Sequence, residues 1–343
     1  MKIWPSAVFS LLMGMFAATA TSSAPQGAAD FTPKTTPAPF ILGKTEQYQR
    51  AATYAQKQGG DAILILKKDE IVLEQYTAPY SETKPHPLAS GTKSFAGVMA
   101  VSAAQDGLLK LDEPVSKTIK EWQGDWQKSK ITIRQLLNLS SGIAPGKLGQ
   151  VPTYAQAVKA PLLHPPGDYF QYGPTPFQVF GELMRRKLAP RKEDPLAYLK
   201  RSILNPIGLK VADWKRGSDG HPNLPSGASL TAREWAKFGQ LLERQGRWNG
   251  EEVLDRSFLK HVFKGSEINE SYGLGVWLNA LGPSPNGKPQ NLLSAAPKDA
   301  FMAAGALDQR LYVIPSRDLV IVRFGNNNAF EDNTFLTILF SDE

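Results

Sequence analysis

Leu88-Ala89-Ser90-Gly91-Thr92-Lys93-Ser94-Phe95-Ala96-Gly97-Val98-Met99 opens the most apolar helical segment of the 343-residue chain. Pro85 and Pro87 hold the approach extended or in a turn. Phe95, Val98 and Met99 stand at i, i+3 and i+4, with Ala96, Ala100, Ala103 and Ala104 among them, which predicts a helix. No charge follows Lys93 until Asp106. A helix apolar all round belongs in a core. Ser90 then lies at the start of a buried helix, with Lys93 one turn on and facing it. A serine hydroxyl is a weak nucleophile until a neighbour takes its proton. A desolvated lysine, its pKa lowered, is such a neighbour. The helix N-terminus also points backbone N–H groups at any negative charge that develops. The same residues read equally as an N-capping serine and a lysine reaching out to water.

Ser-x-x-Lys occurs three times. Ser81/Lys84 is followed at once by Pro85, which disfavours a helix. Ser257/Lys260 falls in a charged amphipathic segment, on its solvated side. Only Ser90/Lys93 joins a helix start to a charge-free core helix.

Working outward, the chain's length and 42% hydrophobic content suffice for a large core or two lobes. Cysteine is absent, which removes disulfides, cysteine nucleophiles and thiolate metal sites together. Met1-Lys2 precedes an apolar run from 7 to 20 that ends in Ala18-Thr19-Ala20. This predicts a cleaved export signal over 1–24, with cleavage after Ala20 or Ala24, and a periplasmic or secreted protein. No cysteine follows to carry a lipid, so no stable membrane anchor is expected. Net charge is +7, and removing Lys2 with the signal leaves +6. That charge implies weak attraction to anionic envelope polymers. The densest basic cluster, Arg185-Arg186-Lys187, closes a helix, where cations complement the dipole, so nucleic acid is not an expected partner.

Residues 25–43, rich in proline, read as an export linker. A helix is expected over 46–58, then strands over 62–66 and 71–76 joined by Lys67-Lys68-Asp69-Glu70. Helical patterns occupy the middle, including 133–139, a helix with Thr175 as N-cap and Pro176 as first residue, and 230–245. Strands return over 272–281, 301–306, 310–314 and 319–324, with a Pro/Gly-rich loop over 282–298 and a closing helix over 334–340. These elements predict an α/β (α+β) fold. A mainly antiparallel sheet from both chain ends, 44–80 and 265–343, is flanked by helices, and a helical lobe over 81–264 is inserted. The cleft between lobes is the expected place for a site.

The four histidines, His86, His164, His221 and His261, form no metal-binding spacing. His86 and His164, the formal partners for a Ser-His pair, sit among prolines and read as surface loop residues. Gly-x-Ser-x-Gly is missing, as is any phosphate-cradling glycine loop. No cofactor or metal is expected.

Further stretches now carry a resemblance. Ile131-Thr132-Ile133-Arg134-Gln135-Leu136-Leu137 ends in Ser141-Gly142. Pro165-Pro166-Gly167 precedes Tyr172. Trp248-Asn249-Gly250 follows, and Ala303-Ala304-Gly305-Ala306 precedes Leu311-Tyr312-Val313-Ile314-Pro315. In this order, with Ser90/Lys93, they resemble the serine β-lactamase and penicillin-binding-protein superfamily over about 45–340. The nearest branch is the class C β-lactamase-related serine hydrolases, which include esterases and 6-aminohexanoate-oligomer hydrolases. The resemblance implies Ser90 as acyl-accepting nucleophile, Lys93 as its base, and Tyr172 as second base and leaving-group acid. It implies the backbone N–H groups of Ser90 and Ala306 as an oxyanion hole, and Ala304 and Gly305 as the substrate-binding strand. Two departures stand out. The family's Tyr-x-Asn reads Tyr172-Gly173-Pro174, and the lysine of its Lys-Thr-Gly is Ala303, with Arg310 nearby in sequence as a candidate substitute cation. The expected activity is hydrolysis of a small ester or amide. A β-lactamase or DD-peptidase, or an idle envelope-binding protein of the same fold, are the alternatives.

Overall fold

The computed structural model describes residues 45–282 and 290–341. The expected signal, the linker and residues 283–289 of the Pro/Gly-rich loop lie outside the described residues. Helix α1 (Thr45–Lys57) leads into β1 (Gly60–Lys67) and β2 (Glu70–Tyr76). Lys68 and Asp69, with φ of 49° and 68°, form the two-residue turn between them, its twist matching that of the strands. Next come β3 (His86–Pro87), the core helix α2 (Lys93–Gln105), α3 (Ile133–Leu137) and α4 (Thr175–Leu188). Then follow β4 (Asp213–Trp214), β5 (Ala228–Leu230), α5 (Ala232–Glu243) and β6 (Trp277–Leu278). The chain ends with β7 (Phe301–Gly305), β8 (Gln309–Ile314), β9 (Leu319–Gly325) and α6 (Asp332–Leu339).

The main sheet runs β2-β1-β9-β8-β7-β6 and its pairs are antiparallel, so strands from the two chain ends meet at β1 and β9. Both of its faces are covered. On one face Ile63, Ile65, Tyr312 and Ile321 pack with Ala51, Phe335 and Leu336 of α1 and α6. On the other, Leu64, Leu311, Val313 and Val322 join α5 and the helical block, with Phe95, Val98 and Met99 at its centre. Alternation along each strand sends successive side chains to opposite cores. This explains why β1 and β9 are nearly continuous apolar runs.

Several expectations are corrected. The strand expected over 272–281 is reduced to Trp277–Leu278 and the short pair at Leu281–Gly282. Gly275, at φ +81°, presses onto the first turn of α2, where a Cβ would stand 2.3 Å from the Lys93 carbonyl oxygen. A close approach of this kind needs glycine and bends the chain out of the ladder. Leu230 ends β5 rather than starting α5, because Thr231 caps that helix by accepting from the Glu234 N–H. Pro174, not Thr175, is the N-cap of α4, and no side chain caps it. The middle block is not purely helical, since β3, β5 and β4 form a small sheet. His86 is no surface residue. It is 6% exposed, 3.1 Å from Asp61 and stacked on Phe324. The cluster at 185–187 is tied to Glu182, Glu121 and Glu113 by ion pairs.

Candidate active site

Ser90 does not cap a helix. A 3-10 turn, Ala89–Thr92, runs straight into α2, and neither start has a side-chain cap. The turn is fastened from several directions. Leu88 N–H donates to the Ala228 carbonyl at 2.9 Å. Thr92 Oγ1 donates to Ala89 O at 2.7 Å and accepts from Ala228 N–H at 3.2 Å. Ala89 is held at φ +48°, a conformation L residues rarely adopt. A position so over-determined by its surroundings presents the next side chain, Ser90, rigidly.

Lys93 Nζ lies 2.9 Å from Ser90 Oγ and donates to the Pro225 carbonyl at 3.2 Å. The lysine is only 2% exposed. Its ammonium position is 4.8 Å from the centre of the Tyr172 ring and 5.6 Å from that of Phe177. Burial, with no carboxylate contributing, lowers its pKa to about 7. A lysine with so lowered a pKa has a neutral amine form accessible near neutral pH, with a lone pair for the serine proton.

Burial pushes the Tyr172 phenol up to about 12, against the opposing pulls of the Ser90 hydroxyl and of the Arg310 charge. At neutral pH it is a proton donor. Its segment is laid along the end of α3: Gly167 N–H donates to Ser140 O at 2.8 Å, and Gln171 N–H to Leu139 O at 2.9 Å. The Tyr172 ring stacks on Trp277 at 5.7 Å and meets Tyr272 edge-on at 5.9 Å. Helix α3 is itself set by a capping box between Thr132 and Gln135.

The end of β7 abuts the Ser90 turn. A Cβ at Gly305 would stand 2.1 Å from the Leu88 carbonyl oxygen, so only glycine lets strand and turn approach this closely. β6 pairs only with Phe301 and Met302, which leaves that edge of β7 open from Ala303 onward among the described residues. The Ala303 side chain belongs to the core on the Ser90 side of the sheet, that of Ala304 to the far side. Ala304 can therefore meet a ligand at Ser90 through its backbone, not its methyl group. Neither Ser90 N–H nor Ala306 N–H donates to another backbone group among the described residues.

The structure thus brings Ser90, Lys93, Tyr172, Gly305 and Ala306 into one place. It does not bring Arg310 there as a substitute for the missing lysine. Arg310 shares a sheet face with Tyr312, turned toward Asp332 of α6. Sequence reasoning missed the Pro225 carbonyl, the Phe177 ring and the Trp277 stack. Backbone carbonyls carry no sequence signal, and an aromatic residue within an apolar run carries none that separates a site from a core.

The Beta-lactamase family model matches residues 45–338. "Protein flp" of Staphylococcus aureus (strain MRSA252) is 26% identical over 180 residues, covering 47% of this chain and 36% of that protein. The chain thus spans little more than a third of the curated relatives of this kind that it matches. EstCE1, described as a hydrolase with promiscuous acyltransferase activity, is similar in structure with a TM-score of 0.67. The two are 16% identical over 86% of this chain and 97% of that one. A penicillin-binding protein homolog from Caulobacter crescentus is similar with a TM-score of 0.66 and 17% identity, over 86% and 96% of the two chains. These likenesses agree with the sheet order and the inserted helical block, and with a family model matched from α1 into α6 the chain belongs to the Beta-lactamase family.

Proposed function

We propose that the protein is an exported serine hydrolase that cleaves small ester or amide substrates through an acyl-enzyme on Ser90. The observation that carries this reading is the buried Lys93 amine, its pKa near 7, 2.9 Å from Ser90 Oγ. Ser90 Oγ attacks the carbonyl carbon as Lys93 takes its proton. The tetrahedral oxyanion lies against the N–H groups of Ser90 and Ala306, where two donors act on charge that exists only in the transition state. Tyr172 passes a proton to the leaving alcohol or amine and regains one from Lys93. Water then attacks the acyl carbon by the same route in reverse, and the acid is released.

Site electrostatics favour neutral substrates. Ala303 replaces the family's lysine, and Arg310 is turned to Asp332 and Asp308. The wall beside Ser90 is aromatic, built from Tyr172, Trp277 and Phe170. A carboxylate there would lose its hydration without a lysine on the β7 strand to bond it. Export rests on the apolar leader of the sequence, and the basic charge suits an envelope rich in anionic polymers.

The test is intact-mass spectrometry after a fluorophosphonate probe, with peptide mapping, on the protein and on Ser90→Ala. One adduct on Ser90, absent from the variant, is expected, together with ester turnover that Ser90→Ala abolishes. Failure to label, or turnover retained in Ser90→Ala, overturns the reading. Hydrolysis of a chromogenic cephalosporin faster than of simple esters would overturn the preference for neutral substrates and favour a β-lactamase.

A further inference from the structure

The peptide unit joining Gly305 to Ala306 has two ends. Its N–H is the oxyanion donor of the reading above. Its carbonyl, on Gly305, accepts from Arg310 Nη1 at 3.2 Å. The same nitrogen donates to the Gln309 carbonyl at 3.1 Å. Arg310 is 6% exposed. Asp332 fixes its guanidinium through Nε at 2.8 Å and Nη2 at 3.1 Å, and Asp308 accepts from Nη2 at 3.1 Å. Neither carboxylate is free to swing. Asp332 also accepts from the Tyr312 hydroxyl, and Asp308 from the Phe330 N–H at 3.1 Å.

The rest of the turn is held as firmly. Gln309 Nε2 donates to Ala306 O at 3.2 Å, Leu307 O at 3.0 Å and Gly325 O at 2.7 Å, while its Oε1 accepts from Gly325 N–H at 3.1 Å. Leu307 and Asp308 are both left-handed, with φ of 59° and 58°. Side-chain donors therefore hold the carbonyls of Gly305, Ala306 and Leu307, all three next to the oxyanion strand's end. A hairpin needs no buried guanidinium to turn, and burying one is costly unless every partner is in place.

We propose that Arg310 is a positioning residue for the oxyanion hole, holding and polarising the Gly305–Ala306 peptide so that its N–H meets the developing negative charge. The inference rests on the reading of Ser90 as nucleophile. A charge-assisted hydrogen bond to the carbonyl draws electron density toward oxygen and leaves the N–H of the same peptide more positive. A donor fixed in advance need not reorganise when charge appears. The guanidinium's charge also reaches the site directly, since it pulls the Tyr172 phenol downward against burial.

The experiment compares wild type with Arg310→Gln, Arg310→Lys and the charge-balanced pair Arg310→Gln/Asp332→Asn. The last retains a neutral amide pair if the single loss prevents folding. Each is measured for kcat and KM on p-nitrophenyl butyrate, and for the infrared band of a 13C-labelled butyryl carbonyl in the acyl-enzyme. The expected result is kcat/KM lower by roughly ten- to a hundredfold, short of the loss of a whole oxyanion donor. The loss should fall on kcat, with the carbonyl band at higher wavenumber because the hole polarises it less. A folded variant with wild-type kcat/KM and an unmoved band overturns the proposal while leaving Ser90 as nucleophile. A wild-type protein that forms no butyryl ester on Ser90 overturns the nucleophile reading, and this inference with it.

Discussion

Replacing Lys93 by methionine tests the origin of the site's reactivity on a scale independent of turnover. In the folded protein the lysine's pKa is about 7, against an ordinary 10.5. Between those values the unfolded chain binds a proton that the folded protein does not. Wild-type stability therefore falls as pH drops from 10.5 to 7 and levels off below 7, where both states are protonated. At about 1.4 kcal/mol per pH unit, the buried amine costs on the order of 5 kcal/mol at pH 7 and below. Methionine has no proton to bind and packs into the same apolar channel beside Phe177. The substitution also leaves the Pro225 carbonyl, now bonded to Lys93 at 3.2 Å, without that donor, a pH-independent loss of about 1–3 kcal/mol. Lys93→Met should thus be the more stable protein at pH 7 by a few kcal/mol, although inactive. Denaturant unfolding of both proteins from pH 7.5 to 9.5 is the assay, below the range in which tyrosines titrate. The difference between the two curves should grow by about 1.4 kcal/mol for each pH unit of acidification. Parallel curves would show that Lys93 keeps an ordinary pKa, and the desolvation argument would be wrong.

Further outcomes follow from the same geometry. kcat/KM for a neutral ester should rise with pH through about 7 as Lys93 loses its proton, and a flat profile from pH 5.5 to 8.5 would exclude it as the base. Tyr172→Phe should still take a fluorophosphonate on Ser90 but turn over esters roughly 10²–10⁴-fold more slowly, because the leaving group loses its proton donor; steady-state rates equal to wild type would remove Tyr172 from the chemistry. Gly305→Ala places a methyl group 2.1 Å from the Leu88 carbonyl oxygen, so strand and turn must separate by about an ångström. A misplacement of that size should cost about a hundredfold in acylation, and an unchanged rate would show that the oxyanion donor lies elsewhere.

How much of this was legible beforehand differs from element to element. The strands near both chain ends are readable because their apolar runs are short and bounded by turns, and Lys68-Asp69 turns where expected. The segment after Tyr272 is not, because its apolar residues also fit a strand. Only the approach of Gly275 to the Lys93 carbonyl shows why it bends away. His86 is illegible for a similar reason: prolines on both sides suggest a loop, yet its partner Asp61 lies 25 residues earlier in the chain. Arg310 stands in the sequence as a candidate cation for the substrate, and strand alternation alone leaves open which of the two cores it faces.

The sequence by itself determined the sheet-and-insert order, the burial of α2 and the three-residue spacing that sets Lys93 against Ser90. These are local properties, fixed by side-chain period and by the absence of charge between Lys93 and Asp106. Tertiary structure alone decided what the pair can do. The lysine's low pKa depends on removal from water by chain segments far away, and the carbonyl that steadies it comes from Pro225, 132 residues on. The ring over it belongs to a loop held by α3, and Trp277 comes from the returning half of the sheet. Desolvation is a property of everything that surrounds a group, and no spacing along the chain encodes it.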